Sequence, residues 1–122
     1  MSQLHVFLEK TTEAVQIFEN LMVSCSNEDF QKKFFDSVDM NSLHELAPKN
    51  LIEIIDRMKD STPANEPTFT DEVKALTVLE KKSLRAMMDL VVKLGILENA
   101  DDLEKRRHFY ELICQICEDC DH

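Results

Sequence analysis

The amino-acid sequence predicts an all-α fold, a single-domain bundle of about five helices that spans residues 1–122. Only one glycine and three prolines occur in the chain, whereas β-rich folds need many turn residues of these types. Charged residues make up 31% of the sequence, which suits helices with solvated outer faces. The most strand-like segments lie inside longer patterns in which apolar residues recur at three- and four-residue steps, so they are assigned to helices.

The first predicted helix covers residues 3–25. Its apolar stripe follows the helical period and consists of these residues: Leu4, Leu8, Thr11, Val15, Phe18, Met22 and Cys25. Three further residues widen the stripe: Phe7, Ala14 and Leu21. Ser26 or Asn27 is expected to cap a second helix, because such side chains accept hydrogen bonds from the free N–H groups of a first turn. The apolar positions of this second helix follow at four-residue steps: Phe30, Phe34 and Val38.

The middle of the chain combines a turn, a helix and a loop. Residues 40–46 are expected to form one loose turn, with Asn41 or Ser42 as its cap. Pro48 is expected at the first position of the third helix, where its missing N–H group has no helical partner to lose. Residues 61–69 contain two of the three prolines and are the candidate flexible loop.

The second half of the chain has clear helix boundaries. A short helix is expected at about 71–76. Thr77 and Glu80 then fit the capping-box pattern, in which the two residues satisfy each other's free N–H groups. The fourth helix begins there and is expected to end at Gly95, because helices commonly end on a left-handed residue and glycine tolerates that conformation. The last helix is expected at 100–118.

The charge of the chain limits its partners. It carries 14 basic and 24 acidic residues, which gives a formal net charge of −10. Proteins that bind nucleic acids or anionic membranes normally carry a basic patch, and no basic arm, stripe or tail occurs in this sequence. We therefore expect no direct nucleic-acid binding, no membrane binding, and a protein partner that can present a basic surface.

The sequence also predicts where the protein resides. No apolar run approaches the roughly 18–20 residues of a membrane span. The first residues carry no basic group before their apolar positions, so we expect no secretory signal. A cytoplasmic location and reduced cysteines follow from these two expectations.

Potential metal ligands are concentrated at the C-terminus, where Cys114, Cys117, Cys120 and His122 stand close together. Three thiolates and an imidazole are typical zinc ligands, although no second cysteine pair follows at a distance and one helix would strain the tetrahedral geometry. The competing interpretation is ordinary packing, since free cysteine behaves as a small buried hydrophobe. Residues 118–122 are the candidate frayed end. We expect no cofactor, with zinc as the alternative.

Recognisable catalytic motifs do not occur in the sequence. There is no glycine-rich phosphate loop, no nucleophile elbow and no metal-spaced histidine pair. We therefore expect that the protein is not an enzyme. No motif set matches a known family closely enough to transfer functional residues.

Two adjacent pairs of residues, Phe34–Phe35 and Met87–Met88, are the candidate partner-binding residues. Neighbours on a helix diverge by about 100°, so the two members of a pair do not face the same line of the core. The leading hypothesis is a regulatory adaptor, a secretion-type chaperone or a viral or phage antagonist that binds a partner, or a second copy in a homodimer, through an apolar helical face. The alternatives are a small zinc-binding helical module and an acidic nucleic-acid mimic.

Overall fold

The computed structural model describes the chain except for residues 1–2, 60–65, 99 and 121–122, and for residues 59, 66–69, 96–98, 100–106 and 118–120 it describes the backbone only. The described residues form seven α-helices and no strand, so the predicted all-α class is confirmed. The helices are α1 (Gln3–Ser24), α2 (Asn27–Ser37), α3 (Met40–Leu46), α4 (Lys49–Lys59), α5 (Glu66–Lys74), α6 (Val78–Glu98) and α7 (Ala100–Cys120).

The helix count exceeds the prediction of about five because the additional short helix expected near 71–76 is present as α5, and because a segment predicted as a loose turn is helical. Residues 40–46 form α3, and its cap is Asp39 rather than Asn41 or Ser42. One carboxylate oxygen of Asp39 accepts a hydrogen bond from the Ser42 backbone N–H at 3.2 Å, and the other accepts from the Ser42 hydroxyl at 2.6 Å. An aspartate in this position satisfies an N–H group that the first turn leaves free.

Part of the predicted proline-containing loop is helical. Helix α5 begins at Glu66, so residues 66–69 of the predicted loop are helical, and the helix ends at Lys74 rather than near 76. Pro67 is compatible with this because the first turn of a helix has no intrahelical acceptor for its N–H groups. Residues 61–65 lie outside the described part of the chain.

Gly95 does not end the fourth predicted helix. Helix α6 continues through it to Glu98, although glycine inside a helix costs about 1 kcal/mol relative to alanine. Gly95 is buried, and a residue without a side chain allows close packing at such a position. Tertiary packing therefore overrides the local preference of this residue.

The predicted capping box at the start of α6 is confirmed. The Glu80 N–H donates to Thr77 Oγ1 at 3.2 Å, and the Thr77 N–H donates to Glu80 Oε1 at 3.3 Å. The second carboxylate oxygen of Glu80 accepts from Asn50 Nδ2 at 2.9 Å, which ties α4 to this helix start.

Helix α6 lies at the centre of the bundle. It packs against α1, α4 and α7, whereas α2 and α3 pack against α1, and α5 packs against α7. Each of the seven helices contributes side chains to one hydrophobic core, for example Phe7, Phe30, Leu43, Leu51, Val73, Leu84 and Phe109. Among the described residues, no helix has the length and apolar character needed to cross a membrane.

The buried side of α1 lies within the predicted stripe, although not every predicted position is buried. Phe7, Thr11, Ala14 and Phe18 are its buried residues, while Met22 of the predicted stripe is 46% exposed. Thr11 is accommodated because its hydroxyl donates to the Phe7 carbonyl at 2.8 Å.

Candidate functional site

Three of the four residues predicted to bind a partner lie inside the protein. Met87 is 1% exposed, and Met88 and Phe34 are fully buried. The methionines are buried because α6 is covered by α1, α4 and α7. Phe34 is buried because its ring lies 5.6 Å from that of Phe18 on α1. In this fold these three side chains fill the core and do not form a binding surface.

Phe35 is the exception. It is 48% exposed, because the next position along α2 turns about 100° away from the core. Its ring packs edge-on against Phe34 at a centroid distance of 5.6 Å. The ring therefore contacts the core through Phe34, while about half of the residue remains exposed to solvent.

An open groove lies beside Phe35 at the junction of α2 and α3. Its volume is about 310 Å³. The residues that line it are Phe35, Asp36, Val38, Asp39, Met40 and Asn41. We call this surface the Phe35 groove. Val38 is buried and Met40 is half-buried, so the groove combines apolar side chains with a polar rim.

A second cavity adjoins the Phe35 groove. Its volume is about 230 Å³, and it shares Val38 and Asp39 with the Phe35 groove. Lys10 and Glu13 of α1 also line it. We call it the α1 cavity. Because the two share residues of the short α2–α3 connection, they form neighbouring depressions on one side of the bundle.

The Phe35 groove is negatively charged. Asp36 and Asp39 are the charged side chains among the described residues that line it. Hydrogen bonds from the side chain and backbone of Ser42 lower the pKa of Asp39 below its ordinary value, so this carboxylate is ionised at neutral pH. The two lysines of α2, Lys32 and Lys33, do not line the groove.

Other large apolar side chains are exposed elsewhere in the bundle. Met22 and Val23 lie in the last turn of α1, and Val78 is the first residue of α6. The sequence prediction placed Met22 on the core stripe and did not single out the other two residues. None of the three lines the Phe35 groove or the α1 cavity. They are therefore exposed apolar residues outside both depressions, with which the binding role of Phe35 can be compared.

The cysteines of the zinc hypothesis lie on a continuous helix. Helix α7 extends through Cys120, whereas shared zinc binding requires it to unwind after Cys117. Six residues of helix separate Cys114 from Cys120 by about 9 Å along the axis, and zinc–sulfur bonds measure about 2.3 Å. The side chain of Cys120 and all of His122 lie outside the described residues.

Two cysteines of this C-terminal cluster have described side chains, and both have other contacts. Cys117 is buried, and its thiol donates to the Lys81 carbonyl at 3.7 Å. Cys114 is half-buried and lies one helical turn beyond Tyr110. In the described part of the chain, no group of three or more histidine, cysteine or acidic residues is arranged to hold a metal ion.

A polar network that the sequence did not reveal joins α1, α6 and α7. Tyr110 Oη donates to Asp89 Oδ1 at 3.3 Å, and Lys93 Nζ donates to Asp89 Oδ2 at 3.2 Å and also contacts Glu19. Burial, and then the charge of Asp89, raise the pKa of Tyr110. The phenol therefore stays protonated and does not act as a base. The hydrogen bonds and ion pairs of the network link the three helices. The Asp89–Lys93 spacing was visible in the sequence, but the contact with distant Glu19 was not.

Comparison of this chain with protein-family models, with curated proteins and with solved structures finds no match.

Proposed function

We propose that this protein is a non-enzymatic interaction module of the cytoplasm that binds another protein through Phe35 and the Phe35 groove. The observation that carries the proposal is the position of Phe35, which is 48% exposed beside an open groove of about 310 Å³. Aromatic residues are enriched among the side chains that dominate protein–protein binding. A regulatory adaptor, a secretion-type chaperone or a viral antagonist acts through such a surface.

The energetics support an anchoring role for Phe35. The exposed half of a phenylalanine side chain amounts to roughly 100 Å² of apolar surface. Removal of this area from water stabilises a complex by about 2.5 kcal/mol, and ordering of the partner offsets part of that gain. We therefore expect the substitution Phe35→Ala to weaken binding about tenfold or more.

The ring of Phe35 also packs against a core residue in the protein alone. Its edge-on contact with Phe34, which is itself fully buried, limits the rotamers that Phe35 can adopt. A side chain that is already held in place loses less conformational entropy on binding. A long side chain that packs against no neighbour loses more conformational entropy when a partner binds it.

A role without catalysis or cofactor is consistent with the chemistry of the polar groups. The acidic groups of the Phe35 groove are solvent-exposed, whereas general acids and bases usually sit in apolar, water-excluded settings that shift their pKa toward neutrality. The pKa of Asp39 is lowered, which is the wrong direction for a general base that works near neutral pH.

Site-specific photo-crosslinking tests the proposal. Phe35 is replaced by p-benzoylphenylalanine in cells of the native host, and Met22, which is 46% exposed and lies outside the groove, is replaced in a matched control. After irradiation, we expect one adduct of defined mass from position 35 and none from position 22. The absence of an adduct at position 35, or the same adducts from both positions, would contradict the proposal.

A further inference from the structure

The charge of the Phe35 groove restricts what can occupy it. Asp36 and Asp39 line the groove together with Phe35, and the chain as a whole carries a formal net charge of −10. Neither lysine of α2 lines this surface, and Lys33 Nζ approaches Cys25 Sγ at 3.9 Å. An occupant that brings no positive charge leaves both carboxylates partly desolvated without a partner.

We infer that the occupant of the Phe35 groove is a cationic segment of another protein, with an aliphatic side chain that packs on Phe35 and flanking lysine or arginine side chains that pair with Asp36 and Asp39. This inference rests on the proposed function and specifies the chemistry of the partner. The apolar contact with Phe35 contributes binding free energy. The ion pairs orient the segment in the groove and raise the rate of association.

Both carboxylates have the capacity to bind such cations. The side chain of Asp36 is exposed on the last turn of α2. Asp39 already accepts hydrogen bonds from the Ser42 N–H and hydroxyl, one on each oxygen. Each oxygen of a carboxylate has a further acceptor position, so Asp39 can accept from a lysine or arginine without losing its role as the cap of α3.

The α1 cavity extends the surface available to this segment. It meets the Phe35 groove at Val38 and Asp39, and Glu13 contributes another carboxylate beside Lys10. Among the described residues, the two depressions are together lined by three carboxylates, Asp36, Asp39 and Glu13, and by one lysine, Lys10. We expect the segment to contact both sides of the α2–α3 connection.

A second copy of this chain is a poor occupant for the same reason. A two-fold homodimer places the same surface patch on both sides of the interface, which brings Asp36 and Asp39 of one copy close to those of the other. Each copy also carries a formal net charge of −10, so repulsion at both short and long range opposes this dimer.

Titration of the full-length, ¹⁵N-labelled protein with defined peptides tests the inference by NMR. The probe is the capped hexapeptide Lys-Lys-Leu-Leu-Lys-Lys, and the matched probes replace every lysine by glutamate or both leucines by alanine. We expect saturable amide-shift changes centred on residues 35–41 and 10–17 with the first probe, and at least tenfold weaker binding of each matched probe.

A pair of charge-reversal variants provides the control. Asp36→Lys alters the groove, and Asp56→Lys makes the same charge change at an exposed position of α4 that lines neither depression. At 150 mM salt, where charges are screened over about 8 Å, we expect at least tenfold weaker binding for Asp36→Lys and less than a twofold change for Asp56→Lys. Thermal melts of both variants confirm that they are folded.

Several outcomes would overturn the inference. They are the absence of saturable shifts with the lysine probe up to about 5 mM, equal binding of the glutamate probe, and equal effects of the two charge reversals. Light scattering that shows a dimer abolished by Phe35→Ala would make a second copy the occupant. A crosslink from position 35 to an acidic segment would overturn the cationic partner but leave the proposed function intact, whereas the absence of any crosslink contradicts the proposed function itself.

Discussion

Two pairs of adjacent residues that look alike in the sequence have different environments in the fold. Met87 and Met88 are both buried, whereas Phe34 is buried and Phe35 is 48% exposed. The difference follows from the number of neighbouring helices. Helix α6 is covered by α1, α4 and α7, while α2 packs mainly against α1. Two adjacent residues are both buried where a helix is covered on more than one side, so the pair on the peripheral helix is the one that leaves a side chain exposed.

The N-termini of α6 and α2 also differ in their capping hydrogen bonds. Helix α6 begins with a complete capping box and a bond to Asn50 of α4. The N-cap of α2 is Ser26, whose side chain makes no capping bond to the backbone and donates instead to Asp29 at 3.2 Å. The central helix is thus held at its start as well as along its length, and the peripheral helix is held chiefly by its aromatic residues.

The largest expected effect separates the two phenylalanines of α2. Phe34→Ala should lower the free energy of unfolding by about 3–5 kcal/mol, because it removes a fully buried ring and leaves a cavity. Phe35→Ala should lower it by about 1–2 kcal/mol, because only half of that ring is buried. Urea unfolding of both variants measures the difference. Equal losses would contradict the environments assigned to them.

The second prediction concerns the methionine pair of α6. Met87→Ala and Met88→Ala should each lower the free energy of unfolding by about 2–5 kcal/mol, since both side chains lie in the core. Urea unfolding again provides the measurement, and Met22→Ala, at a half-exposed position, serves as the control. A cost below about 1 kcal/mol for one of the core methionines would mean that it faces solvent and that α6 is less enclosed than described.

A smaller effect distinguishes the two helix starts. Thr77→Ala should lower the free energy of unfolding by about 1 kcal/mol, because it removes the acceptor of the Glu80 N–H. Ser26→Ala should cost less than about 0.5 kcal/mol, because no backbone capping bond is lost. Thermal unfolding of the two variants checks the comparison. A Ser26 variant that is as destabilised as the Thr77 variant would refute the difference between the helix starts.

The smallest effect is a pH dependence at the start of α6. The hydrogen bond from Asn50, together with those from Thr77, lowers the pKa of Glu80 below its ordinary value of 4.5. Because the folded-state pKa is the lower one, ionised Glu80 stabilises the fold above pH 4.5, and this contribution is lost as the pH falls through the folded-state pKa. NMR titration of the Glu80 carboxyl group in wild type and in Asn50→Ala tests this. The variant should titrate closer to 4.5, and an unchanged pKa would exclude Asn50 as the main cause.

Much of the fold could be predicted because helices obey local rules. The three- and four-residue spacing defined α1, and the capping box located the start of α6 to the residue. Gly95 was misjudged because its burial inside α6 depends on distant segments of the chain. The turn at 40–46 was misjudged because Asp39, one position before the segment, supplies the cap that a short helix needs.

The candidate site was harder to predict from sequence. The helical period showed that Phe34 and Phe35 point in different directions, and the spacing of Phe30, Phe34 and Val38 placed Phe34 on the buried side. The period does not reveal how many helices cover α6, so it suggested an exposed methionine on this helix, where both Met87 and Met88 are buried. The groove beside Phe35 depends on the meeting of α2 and α3, and α3 was not predicted.

We propose that Phe34 stabilises the fold and that Phe35 binds the partner protein. One measurement tests this claim most directly. The protein recovered by crosslinking at position 35 is purified, and its affinity is measured by calorimetry for wild type, Phe35→Ala and the control Met22→Ala. We predict at least tenfold weaker binding for Phe35→Ala, which stays folded, and less than a twofold change for Met22→Ala. Equal affinity for wild type and Phe35→Ala would contradict the claim.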